Sequence, residues 1–223
     1  MPQRLRPSRT LLGFVLAVLA VVPAALAESG TRPSPVPAGL DQAIQFASRP
    51  PLTMVWQPER AQSGTYALPP EWNAFRAHIL DLGRPLPAAW SKGLDALRGL
   101  PEAAQVAGLA EAVNAIPYVT DQRNYGIRDY WATPTETLAR GGDCEDYAIL
   151  AYRSLLELGW DDSRLELVYL KDRKHDFEHA VLAVSLGGEW RLIDNNRPDM
   201  PTLASVAYYE YWHAFNGSRL VIF

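Results

Sequence analysis

From about Pro70 to Ile116, apolar side chains recur at three- and four-residue steps. Trp72, Phe75, Ile79 and Leu82 form one set, and Val106, Leu109, Val113 and Ile116 a second, which Pro117 closes. That spacing predicts core-facing stripes on helices. Between residues 118 and 142 the period is lost. Asp121, Asn124, Gly126, Asp129, Pro134 and the pair Gly141-Gly142 break it, which predicts a long surface excursion of the kind that tends to carry function. A helix is predicted again from about Asp143 to Leu158, with Ala148, Ile149, Tyr152, Leu155 and Leu156 on its apolar side and Gly159 just past its end. The period then falls toward two. Leu165, Val168 and Leu170 mark one strand, Val181, Ala183 and Val184 a second, and Trp190, Leu192 and Ile193 a third, with Gly187-Gly188 as the tight turn between the last two. Helices, then one further helix, then an antiparallel meander make an α+β fold.

The N-terminal residues change the compartment. Arg4, Arg6 and Arg9 precede an apolar run from Leu11 to Val22 and the small-residue triplet Ala25-Leu26-Ala27, the layout of a cleavable signal peptide over residues 1–27. A membrane-spanning helix needs roughly 20 apolar residues, so this shorter run disfavours an uncleaved anchor. Residues 28–40, with Pro33, Pro35 and Pro37, read as a flexible Pro-rich lead-in, and residues 41–223 as one domain. Cleavage removes three of the 21 basic residues and none of the 25 acidic ones, leaving the exported part more acidic than the −4 of the whole chain. That balance argues against partners held by positive charge, nucleic acid and anionic lipid alike.

Export also makes the single cysteine, Cys144, informative. It has no partner for an intramolecular disulfide, so it is either an inert buried group or a reactive one. Its setting, Gly141-Gly142-Asp143-Cys144-Glu145-Asp146, puts it at the predicted start of a helix. There, free backbone N–H groups and the positive end of the helix dipole favour a thiolate. The Cys144 amide is one candidate oxyanion donor; the second is not evident from the sequence. A thiol nucleophile needs an imidazole to take its proton and an acceptor to orient that imidazole. His179 opens the second predicted strand and Asp194 follows the third, so an antiparallel turn at Gly187-Gly188 brings the two side by side.

Alternatives stand beside this constellation. His175 is a rival base, but its stretch Lys171-Asp172-Arg173-Lys174-His175-Asp176 reads as a solvated loop. His78 and His213 read as structural. Asn195 or Asn196 is a second candidate to orient the imidazole. A zinc site from Cys144, His179 and Asp194 has no C-x-x-C or H-x-x-x-H spacing behind it. Asp143, Glu145 and Asp146 all oppose ionisation of the thiol. A divalent cation held by Asp143 and Glu145, with loop carbonyls and Asp121 or Asp129, would resolve that conflict and would suit calcium. The plainer reading is that Asp143 is an N-cap and the other two are favourable first-turn acids.

Asp129-Tyr130-Trp131-Ala132-Thr133-Pro134, Glu136-Thr137-Leu138, Gly142 to Ile149, His179-Ala180-Val181 and Leu192-Ile193-Asp194-Asn195 together resemble the bacterial transglutaminase-like cysteine proteinases. Within that family they resemble most the LapG-type periplasmic proteases that clip large biofilm adhesins. The resemblance spans roughly residues 112–197. It implies a papain-like fold and a Cys144-His179-Asp194 triad, with Asp143 and Glu145 as calcium ligands. It also implies calcium-dependent cleavage of an adhesin near its N-terminus and restraint by an inner-membrane receptor for cyclic di-GMP. Tyr130 and Trp131 are candidates for a groove wall, with ordinary packing the alternative. Two other functions remain to be separated: acyl transfer or cell-wall amide hydrolysis by the same triad, and a non-catalytic module that binds the receptor.

Overall fold

The computed structural model describes residues 63–68 and 70–223; the expected signal peptide and Pro-rich lead-in lie outside them. The elements in chain order are β1 (Gly64–Ala67), α1 (Pro70–Ile79), α2 (Ala88–Leu94), α3 (Glu102–Asn114), α4 (Asp121–Asn124), α5 (Pro134–Arg140), α6 (Cys144–Glu157), β2 (Leu165–Asp172), β3 (Phe177–Leu186), β4 (Glu189–Ile193), β5 (Tyr209–Phe215) and β6 (Arg219–Ile222). The strands form one antiparallel sheet in the order β1-β6-β5-β2-β3-β4. The chain is thus an α+β protein with helices packed on a six-stranded antiparallel sheet.

The alternation of the strands shows how both sheet faces are used. Leu167, Leu182, Val184, Ile193 and Phe215 join the helices in the main core, where Trp72, Phe75, Trp90, Leu109 and Leu155 are also buried. Val168, Val181, Ala183, Leu192 and Ala214 pack on the opposite face under Val206 and Tyr209. Helix α6 runs through the middle of the main core, burying Ala148, Ile149, Tyr152 and Leu155. Gly159, with φ at 91°, ends it as expected.

Two expectations are corrected. The first helical stripe stops at Ile79, and Leu82 lies past the helix and is exposed. The excursion from 118 to 142 is not a bare surface loop. Thr133 caps α5, with Pro134 in its first turn and Glu136 reaching back to the Thr133 N–H at 2.9 Å. Tyr130, Trp131 and Ala132 are buried, and the Ala132 N–H donates to the Asp146 carboxylate at 2.7 Å.

Two glycines lock this excursion to the start of α6. The Gly142 N–H donates to the Pro117 carbonyl (3.3 Å), and the Val119 N–H donates to the Gly142 carbonyl (2.9 Å). A Cβ on Gly141 would meet the Pro117 oxygen at 2.5 Å, and one on Gly142 would meet the Asp146 carboxylate at 2.4 Å. Gly141 also has φ at 77° and ψ at −175°, a region open essentially only to glycine. Gly141→Ala is therefore expected to destabilise the fold by about 3 kcal/mol, read as a lower urea midpoint at unchanged slope. A midpoint equal to wild type would show that the backbone relaxes without cost.

Candidate active site

Cys144 is the first residue of α6 and is half-buried. Its sulfur is close enough to the Ala180 N–H of β3 to feel its dipole, so the helix start abuts the strand that carries His179. Cys144, His179, Asp143, Glu145, Tyr118, Phe177 and Asn196 all line one open cavity of about 1110 Å³.

His179 and Asp194 meet as strand pairing requires. Leu182 is opposite Ile193 across β3 and β4, so the residue following β4 comes beside the early part of β3. His179 Nε2 lies 2.9 Å from Asp194 Oδ1, and both side chains are fully buried. Asp194 Oδ1 also accepts from the Asn196 N–H (2.8 Å), and Oδ2 accepts from the Tyr209 hydroxyl (2.6 Å). Burial pushes the Asp194 carboxyl up, but the bonds from His179, Tyr209 and Asn196 outweigh it and hold the group below the usual carboxylate range. His179 Nδ1 is buried with no hydrogen-bond partner among the described residues, leaving that nitrogen available to a proton donor from the cavity.

The rival groups fall elsewhere. His175 lies in the β2–β3 turn with its side chain about half exposed, and its Nδ1 is 2.8 Å from Asp172. His213 is in β5 and buried. Asn196 approaches His179 Nε2 only at 3.5 Å, through its side-chain nitrogen. Tyr130 and Trp131 are packed away from the cavity. Tyr118 and Phe177, which sequence reasoning passed over, are its exposed aromatic walls. Tyr209, also missed, reaches Asp194 only because β5 pairs with β2, where it is opposite Asp172.

Carboxylates crowd the other side of the thiol. Oxygens of Asp121, Asp143 and Asp146 lie within 4.8 Å of one another, as do oxygens of Asp121, Asp129 and Glu145. The Cys144 thiol donates to Glu145 Oε2 at 3.0 Å. Burial first, and the neighbouring acids second, push Asp121 up to about 8 and raise Glu145 and Asp146 well above the ordinary range. Asp143 is raised too, by burial. The Cys144 thiol follows the same direction, through burial first and then Glu145 and Asp143. The helix N-terminus alone is therefore outweighed, contrary to the expectation that it lowers the thiol pKa. Asp146 has structural work, accepting from the N–H groups of Ala132 and Asp143. Asp121 Oδ1 and Asp143 Oδ1 are buried without a partner among the described residues. A set of hard oxygen donors with unsatisfied buried atoms fits calcium.

A family model described as bacterial transglutaminase-like cysteine proteinase (BTLCP) matches residues 99–216. The chain belongs to this family. It is a cysteine peptidase, and the matched span runs from the helices through β5. Its fold is also that of LapG from Legionella pneumophila, which is 24% identical over 66% of this chain and 87% of that one, with a TM-score of 0.54. A calcium-bound structure of that protein is 22% identical, covers 67% and 87%, and gives a TM-score of 0.55. An EGTA-treated one is 23% identical, covers 66% and 85%, and gives 0.54. No curated protein is similar enough in sequence to match.

Proposed function

We propose that this chain is an exported, calcium-dependent endopeptidase that cuts a large surface adhesin near its N-terminus and so controls biofilm attachment. In this reading Cys144 is the nucleophile, His179 the base and Asp194 its orienting acceptor. The observation that carries it is that His179, paired in the interior with Asp194, lines one cavity with the only cysteine of a chain that belongs to a cysteine peptidase family.

Cleavage by this triad would run in two stages. The thiol proton passes to His179 Nδ1 while sulfur adds to the scissile carbonyl carbon, and Asp194 holds the other nitrogen as the N–H form. The Cys144 backbone N–H stabilises the oxyanion. Collapse of the tetrahedral adduct breaks the C–N bond, and the imidazolium gives its proton to the departing amine. Water then attacks the thioester with His179 again as base, releasing the acid and restoring the thiol.

Asp143 and Glu145 would hold calcium, with Asp121 and Asp129 beside them. The ion's charge would offset the carboxylates that oppose thiolate formation. The calcium-bound and EGTA-treated structures of the Legionella LapG support this assignment. The periplasm is the compartment implied by residues 1–27, and an inner-membrane cyclic di-GMP receptor is the proposed inhibitor.

A recombinant N-terminal fragment of a large exported adhesin, incubated with the chain and millimolar calcium, is expected to lose one terminal piece. EGTA is expected to stop the cut at least tenfold and renewed calcium to restore it. Undiminished cleavage in EGTA would remove the calcium assignment, and an uncut adhesin in calcium would remove the substrate.

A further inference from the structure

We infer that Tyr209 is a positioning residue of this active site, clamping the carboxylate that orients the catalytic imidazole. The inference rests on the proposed roles of His179 and Asp194.

The two oxygens of Asp194 are used differently. Oδ1 accepts from His179 Nε2 and from the Asn196 N–H, whereas the donor to Oδ2 among the described residues is the Tyr209 hydroxyl, at 2.6 Å. A carboxylate held through one oxygen can swing about its Cβ–Cγ bond. Fixing the second oxygen fixes the plane, and with it the direction in which the first oxygen receives the imidazole N–H. Tyr209 is itself rigidly placed. It opens β5 in register with Asp172 of β2, its N–H donates to the Val206 carbonyl (3.1 Å), and it is buried. Its ring stands edge-on to His179, with centroids 6.0 Å apart at 66°.

Burial, and then the bond to Asp194, push the Tyr209 phenol far above its ordinary value. It therefore stays protonated at any working pH and can act only as a donor to the carboxylate. A short bond from a buried hydroxyl to a charged acceptor is among the stronger hydrogen bonds in proteins. Two residues on, Tyr211 is a built-in comparison: its hydroxyl donates at 2.6 Å to the Leu203 backbone carbonyl and not to Asp194.

The test compares Tyr209→Phe with Tyr211→Phe and His179→Gln in the full chain, using the adhesin fragment with calcium and following kcat and KM across pH. Tyr209→Phe is expected to lower kcat about 10- to 100-fold with KM unchanged within a factor of two. With one donor gone, Asp194 protonates at higher pH, so the acid limb of kcat/KM moves up by about one to two pH units. Tyr211→Phe is expected to lose stability of similar size while keeping kcat and the acid limb. Wild-type kinetics in Tyr209→Phe would overturn the inference. So would a loss of kcat with the acid limb unmoved, which marks a merely structural contact. Undiminished cleavage by His179→Gln would instead overturn the triad beneath it.

Discussion

Cys144→Ala is expected to abolish peptide-bond cleavage, a loss of about a millionfold or to below detection, while the chain stays folded. The magnitude follows from the role: no other side chain of this protein is a thiol, and without a nucleophile only binding and oxyanion stabilisation remain. The small structural cost follows from the surroundings. The thiol donates one hydrogen bond, to Glu145, so its removal deletes a single weak contact and no core packing. A stability change of about 1 kcal/mol is expected, read from denaturant midpoints beside the cleavage rate. Persistent cleavage by the alanine variant would exclude Cys144.

His179→Gln is expected to cost nearly as much, about 10⁵-fold in kcat, because nucleophile and base act as a unit. Glutamine fills most of the imidazole volume and can donate to Asp194, but it accepts no proton from a thiol that burial, Glu145 and Asp143 hold in its neutral form. For the same reason Cys144→Ala combined with His179→Gln is expected to be no slower than Cys144→Ala alone. The pair also has a pH signature. Asp194 is depressed in the folded chain, so its contribution to stability is present above the ordinary carboxylate range and is lost as pH falls through its folded pKa. His179→Gln keeps a hydrogen-bond donor to Asp194 but removes the coulombic share of that depression that comes from the imidazole. The variant's extra instability is therefore expected at neutral pH and to shrink toward strongly acid pH, in denaturant titrations at both. Equal instability at both would mean that His179 contributes packing and not charge.

Much of this arrangement can be read from residue order because its parts are local. The start of α6 at Cys144 follows from Gly-Gly-Asp before a helical stripe. The approach of His179 to Asp194 follows from two strands joined by Gly187-Gly188, as the 2.9 Å contact bears out. The parts that escaped depend on distant pairing. Strands β5 and β6 lie in an aromatic tail whose alternation is masked by tyrosines and tryptophan on both faces, and β5 finds its partner in β2 across the β3–β4 hairpin. Tyr209 is therefore invisible until the sheet order is known. The excursion departs from expectation for a different reason. The burial of Asp121 and Tyr130 arises from folding back on α6 through Asp146 and the glycines. The crowding of Asp121, Asp129, Asp143 and Glu145 results from that fold-back, and only two of the four flank the cysteine in sequence.

Because the chain has a single cysteine, reversible thiol blocking tests the central claim without altering the sequence. The protein would be treated with methyl methanethiosulfonate until one adduct per chain is seen by intact mass. It would then be mixed with the adhesin fragment and calcium before and after dithiothreitol. The account predicts no cut from the blocked chain and a return of the original rate, with the same cut site, once the adduct is reduced. A blocked chain that cuts at the untreated rate would contradict catalysis by Cys144.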